Sequence, residues 1–99
     1  MARGLKNKSR KGISKERLVK KMLEKVGYLV LRSAASKGPF DLVALRKNEV
    51  RLIQVKTNRH PSTEEEENLI EIANRLIPFS VEVWVFYDRL PEPEILTYP

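Results

Sequence analysis

Cysteine is absent from this chain, which excludes a disulfide framework and a thiolate zinc site. A single histidine, His60, excludes His-rich metal centres and leaves little scope for a Ser-His-Asp triad. No apolar run approaches the roughly 18 residues of a membrane-spanning helix. The basic N-terminus leads into no signal-peptide core, so a cytoplasmic setting is expected. Acid is scarce in one half only. Residues 1–56 carry 16 Lys/Arg against 4 Asp/Glu, a balance of +12, while residues 57–99 carry 3 against 9, a balance of −6. A heat-tolerant surface rich in Lys and Glu would intersperse its signs. Segregated charge is instead an electrostatic footprint for a polyanion, and nucleic acid is the usual one.

What is present suits one domain: 99 residues, 41% of them apolar, bury a modest core that a dimer would extend. Residues 1–12 (MARGLKNKSRKG) hold Arg3, Lys6, Lys8, Arg10 and Lys11 with no acid. They read as a flexible basic arm lying along phosphates, or equally as a solubilising tail, ahead of a domain at 13–99. Ser14 is positioned to cap a helix running to about Val26, with Gly27 as its stop. Leu18, Val19, Met22, Leu23 and Val26 form its apolar stripe, and Glu16, in the first turn, shares a face with Val19 and Leu23. Strands are expected at Tyr28–Ala34, Phe40–Leu45 and Val50–Lys56, the last two joined by a turn at Arg46–Glu49 that suits Asn48. A capping box at Ser62 or Thr63 opens a second helix whose apolar face is Leu69, Ile70, Ile72, Ala73, Leu76 and Ile77. Val81–Tyr87 follows as a strand with Glu82, Trp84 and Phe86 on one face, and Ile95–Tyr98 suits a short edge strand. Trp84 and Phe86 are candidates for dimer packing or for ordinary core. The order α-β-β-β-α-β gives an α/β fold with a mixed sheet.

The hairpin register carries the chemistry. A loop at 46–49 sets Leu45 opposite Val50 and therefore Asp41 opposite Gln54. Alternation then puts Asp41, Val43, Leu45, Val50, Leu52, Gln54 and Lys56 on one face, and Leu42, Ala44, Ile53 and Val55 on the other. An acid, an amide and a lysine thus interrupt an otherwise apolar face, and such local violations mark functional sites. Asp41, the Gln54 side-chain oxygen and the Val55 carbonyl are hard oxygen donors of the kind that suit Mg²⁺ or Mn²⁺. Lys56 is placed to orient a water or stabilise a pentavalent transition state, and Glu16 to hold a metal-bound water. The plainer alternatives are a strand-end ion pair between Asp41 and Lys56, and a first-turn carboxylate at Glu16 favoured by the helix dipole.

The string VLRSAASKGPFDLVALRKNEVRLIQVKT resembles the active-site region of PD-(D/E)xK nucleases, and within that superfamily it is most similar to archaeal Holliday junction resolvases. The matching places are Glu16 in the first helix, the R-S-A-x-S run Arg32–Ser36, D-L-V-A at Asp41–Ala44, and Gln54-Val55-Lys56. The resemblance covers roughly residues 9–87 and weakens after Thr57. It implies a restriction-endonuclease-like core, a divalent metal and a DNA substrate. Asp41 would be the central metal ligand, Lys56 the motif lysine and Glu16 the outer carboxylate. Ser36 would lie beside the scissile phosphate, with Arg32 and Lys37 among the residues near DNA; Ser33 reads better as an ordinary strand-end serine. Gln54 departs from the commoner glutamate: it keeps a carbonyl oxygen and loses a charge, which makes this a Gln-x-Lys variant.

Three functions are compatible with these residues. The first is a dimeric, Mg²⁺-dependent endodeoxyribonuclease that cuts branched DNA such as four-way junctions, in recombination or repair. The second is a nicking, flap or restriction-like nuclease on the same fold. The third is a basic nucleic-acid-binding module in which Gln54 records lost catalysis.

Overall fold

The computed structural model describes residues 10–33 and 38–98, and in it the first helix begins before Ser14. Helix α1 spans Arg10–Lys25, so residues 10–12 belong to the helix and Ser14 lies inside it instead of capping it. Glycine at position 12 costs about 1 kcal/mol relative to alanine in a helix, and α1 runs through it nonetheless. The helix buries Glu16, Val19 and Leu23, the three positions sharing one face, while Leu18, Met22 and Val26 of the expected stripe stay exposed. It ends at Gly27, whose φ of 97° only glycine adopts without strain, and Tyr28 N–H returns to the Leu23 carbonyl at 3.1 Å.

Three antiparallel strands follow: β1 (Leu29–Arg32), β2 (Leu42–Arg46) and β3 (Glu49–Thr57). Leu45 pairs with Val50 and Leu42 with Ile53, the register expected from sequence. The strands reach closer to their turn than expected, because Arg46 also pairs with Glu49 and only Lys47-Asn48 connect them. Asn48 accommodates the turn at φ 62°. Helix α2 (Thr63–Arg75) is capped by Ser62 in a full capping box with Glu65 and carries β3 over to a parallel partner, β4 (Ser80–Phe86). An antiparallel edge strand, β5 (Glu94–Tyr98), completes a mixed sheet in the order β1-β2-β3-β4-β5.

Alternation in β2, β3 and β4 divides the core between the two sheet faces. Val19, Leu23, Tyr28, Val30, Leu42, Ala44, Ile53, Trp84 and Phe86 pack together under α1. Both aromatic side chains of β4 are thereby core, which corrects their candidacy for dimer packing. The opposite face buries Leu69 and Ala73 of α2 against Val81, Val83, Val85 and Tyr98. Because α2 lies over β4 and β5, Leu29 and Leu31 on the far edge of that face remain 62% and 50% exposed. The α1 side also holds Glu82, buried, which accepts hydrogen bonds from Arg51 Nε and Nη2, Ser80 Oγ and Trp84 Nε1 at 2.6–2.9 Å. Burial raises its carboxyl pKa, but those donors outweigh burial and hold it below the usual range. Among the described residues no helix is long and apolar enough to cross a membrane.

Candidate active site

The β2–β3 ladder ends at the pair Leu42–Ile53, and beyond it the backbone opens into a polar corner. Asp41 N–H donates to the Ile53 carbonyl at 2.8 Å, and the Asp41 carboxylate accepts the Val55 N–H at 2.8 Å. The side chain therefore closes the ladder where the backbone has stopped pairing, a hydrogen bond to a charged acceptor worth about 1.5–3 kcal/mol. On the neighbouring strand Ser33 N–H donates to the Asp41 carbonyl at 2.9 Å, so the end of β1 reaches the same corner.

Gln54 lies at this corner in an unusual state. Its Nε2 donates to the Pro39 carbonyl at 2.9 Å, which fixes the orientation of the amide because a carbonyl accepts only from N–H. Its Oε1 is then buried with no hydrogen-bond partner among the described residues. An unsatisfied buried acceptor costs about 1–3 kcal/mol, and an oxygen held that way marks a place where an external cation or donor is expected. Gln54 lines an open hollow of about 380 Å³ with Gly38, Pro39, Glu65, Asn68 and Leu69.

Lys56, two residues on and on the same face, has a side chain only 10% exposed and ion-pairs with Glu65 Oε2 at 2.8 Å. Glu65 is the residue that sequence reasoning missed. It was legible as the acid of the Ser62 capping box, but nothing local signalled that the first turn of α2 would meet β3. Lys56, and then the Ser62 N–H bonded to Glu65 Oε1, hold its carboxyl at about 2, far below the ordinary range.

Glu16 approaches from the other face of the sheet. It lies in the second turn of α1 rather than the first, so the helix-dipole reading does not apply to it. It is 3% exposed, and Arg32 Nη2 lies 3.5 Å from its Oε1. Arg32 pairs with Leu42, the residue after Asp41, and its side chain is 40% exposed. The structure thus gathers Asp41, Gln54, Val55 and Lys56 at one corner and sets Glu16 with Arg32 beside it. Among the described residues Lys56 pairs with Glu65 and Arg32 with Glu16, and Asp41 and Lys56 form no ion pair with each other. Among the described residues no three His, Cys, Asp or Glu side chains converge on a metal position. Arg3, Lys6, Lys8, Ser36 and Lys37 lie outside the described residues, as do the side chains of Arg10 and Lys11.

Comparison with known proteins joins this geometry to a family. A segment of 54 residues, 54% of the chain, is 52% identical to the crossover junction endodeoxyribonuclease Hjc of Methanocaldococcus jannaschii and covers 40% of that protein, well under half of its length. The fold superposes on that of Archaeoglobus fulgidus Hjc, a Holliday junction resolvase, with a TM-score of 0.64 at 26% identity, covering 90% of this chain and 72% of that one. The sequence pattern of the archaeal Holliday junction resolvase (Hjc) family matches residues 7–82. With that match spanning most of α1 through β4, the chain belongs to the archaeal Holliday junction resolvase family.

Proposed function

We propose that this protein is a Mg²⁺-dependent endodeoxyribonuclease that hydrolyses phosphodiester bonds in branched DNA, four-way junctions first among them. The observation that carries the reading is the corner itself: a carboxylate, a buried acceptor without a partner among the described residues, and a restrained ammonium at the adjoining ends of β2 and β3. The donor set fits a hard divalent cation. Mg²⁺ is typically held by one or two carboxylates with neutral oxygens, water and substrate phosphate completing the shell. Asp41, Gln54 Oε1 and the Val55 carbonyl are the oxygens we assign to Mg²⁺ or Mn²⁺, with Glu16 acting through water. The ion would supply positive charge to the phosphate and acidity to a water.

The chain's own residues account for the remaining steps. Lys56, confined by its pair with Glu65, presents an ammonium to charge developing on the phosphate oxygens. Arg32, half out in solvent above Glu16, offers a guanidinium to a neighbouring phosphate. Ser36 and Lys37, and the basic residues Arg3, Lys6, Lys8, Arg10 and Lys11, are assigned to the DNA path, where lysine and arginine contacts dominate affinity. Cleavage of a two-fold junction calls for two sites, and the sheet face beyond α2 supports a homodimer. Leu29, Leu45 and Val50 pair across the strands there, as do Leu31, Val43 and Leu52, giving an apolar surface suited to a second copy. We assign the protein to the cytoplasm, with DNA repair and recombination as its setting.

A labelled panel of duplex, flap, mismatched and four-way junction DNA, incubated with Mg²⁺ and mapped for nicks, tests the reading. Paired nicks in the junction are expected. Tight binding with no cleavage at any divalent-ion concentration would instead favour a DNA-binding module, the alternative that an uncharged Gln54 keeps in view.

A further inference from the structure

Lys56 needs a counter-charge, because its side chain is nine-tenths buried and an ammonium is strongly hydrated when free. Its own strand does not provide one. Gln54, the neighbour on the same face, is neutral, and a carboxylate oxygen of Asp41 accepts the Val55 N–H. The counter-charge comes from α2. Glu65 Oε2 takes the Lys56 ammonium at 2.8 Å, while Glu65 Oε1 takes the Ser62 N–H at 2.8 Å. Ser62 Oγ in turn accepts the Glu65 N–H at 3.1 Å. The glutamate is therefore clamped at both oxygens and at its own amide, and what it holds is a lysine on a flexible four-carbon stem. Glu65 and Gln54 line one hollow.

We infer that Glu65 is a positioning residue of this site: it fixes the Lys56 ammonium beside Gln54 and returns from the helix the negative charge that position 54 lacks. The inference rests on the nuclease reading, since it assigns the lysine a task at the phosphate. Glu65 stays ionised throughout any practical assay range, its carboxyl being held at about 2 by Lys56 and the Ser62 N–H. A capping box alone would not need this charge, for glutamine serves equally at that helix position. The extra element is the ion pair with a buried lysine.

Glu65→Gln separates the two roles, because it keeps a hydrogen-bonding cap and removes the charge. Measured on four-way junction DNA with saturating Mg²⁺, kcat should fall about 10- to 100-fold, the scale of losing the position of a reacting group. KM should stay within about threefold. Gln54→Glu puts a carboxylate on the same face two residues from Lys56, so in that background Glu65→Gln should cost less than about threefold in kcat. A readout free of metal and DNA accompanies this. The Lys56 Nζ–H signal, slowed in exchange by its carboxylate in the wild type, should vanish from the NMR spectrum of Glu65→Gln and return in the double variant. Circular dichroism would verify that each variant is folded at the assay temperature. Unchanged cleavage and an unchanged Nζ–H signal in Glu65→Gln would reduce Glu65 to a helix cap and overturn the inference alone. Equal losses with and without Gln54→Glu would overturn it as well. Wild-type protein that leaves every DNA intact overturns the nuclease reading, and the role given to Glu65 falls with it.

Discussion

Replacing Glu82 with alanine should destabilise the fold severely while leaving the chemistry of the site untouched. Glu82 is 4% exposed and accepts from Arg51 Nε at 2.8 Å, Arg51 Nη2 at 2.9 Å, Trp84 Nε1 at 2.9 Å and Ser80 Oγ at 2.6 Å. Truncation leaves a buried indole N–H unpaired and the Arg51 guanidinium with only the Tyr28 hydroxyl, 3.3 Å away, as a hydrogen-bond partner among the described residues. Breaking a buried pair by removing one partner costs about 3–5 kcal/mol. The Arg51 side chain is 22% exposed, so water can return to it and the lower end, about 3 kcal/mol, is expected. For a domain of this size each kcal/mol moves the midpoint by about 4–8 °C, giving a fall of about 12–24 °C in Tm. Urea unfolding at neutral pH reads the free energy directly. Glu82 pairs with Ile53, three residues or about 10 Å before Lys56, and its side chain lies with Trp84 on the α1 side of the sheet, opposite the face that carries Gln54 and Lys56. Cleavage measured well below the midpoint should therefore keep its wild-type rate. The double variant Arg51→Met/Glu82→Leu removes both charges and should recover most of the loss, as apolar replacement of buried pairs often does. A loss under about 1 kcal/mol for Glu82→Ala, or a double variant no better than the single one, would refute this account of the network.

Asp41→Asn keeps an oxygen for the Val55 N–H and deletes the charge; cleavage should drop by about a thousandfold, while junction binding in EDTA holds or tightens. Retained cleavage in a gel assay would move the active site elsewhere. Gln54→Glu should lower the Mg²⁺ concentration for half activity by about tenfold, read from a metal titration; an unmoved titration would remove Gln54 from the ligand set. Glu65 has a folded pKa depressed from 4.5 to about 2, so its stabilisation is complete above the unfolded value and is lost as pH falls through the folded one. The full interval is worth about 3 kcal/mol, and because Glu65 is 36% exposed, screening reduces this to about 1 kcal/mol. Urea unfolding at about pH 6, 4 and 2.5 should show the wild type losing that margin over Glu65→Gln between the last two; a constant margin would contradict it. Deleting residues 1–9 removes Arg3, Lys6 and Lys8, which should flatten the slope of log K against log salt by up to about 3. An unaltered slope would leave that segment as a passive tail.

Local signals determined a large part of this protein from sequence alone. The register of β2 and β3 follows from one short turn, and it carries Asp41 to the end of the ladder, beside Ile53 and Val55. The Ser62–Glu65 capping box and the Gly27 stop depend on dihedrals and bonds within a few residues, so they too were readable. Other features were settled only by which element covers which face. Helix α1 extends back through Gly12, where local signals had favoured a start at Ser14. Trp84 and Phe86 became core because α1 lies over them, and Leu29 and Leu31 stayed exposed because α2 does not reach that edge. The pairing of Lys56 with Glu65 crosses from strand to helix and depends on the packing angle of α2, to which neither residue's sequence neighbourhood refers. Hydrogen bonds close in sequence are encoded by spacing; charges that meet across a packed interface are encoded only by the whole fold.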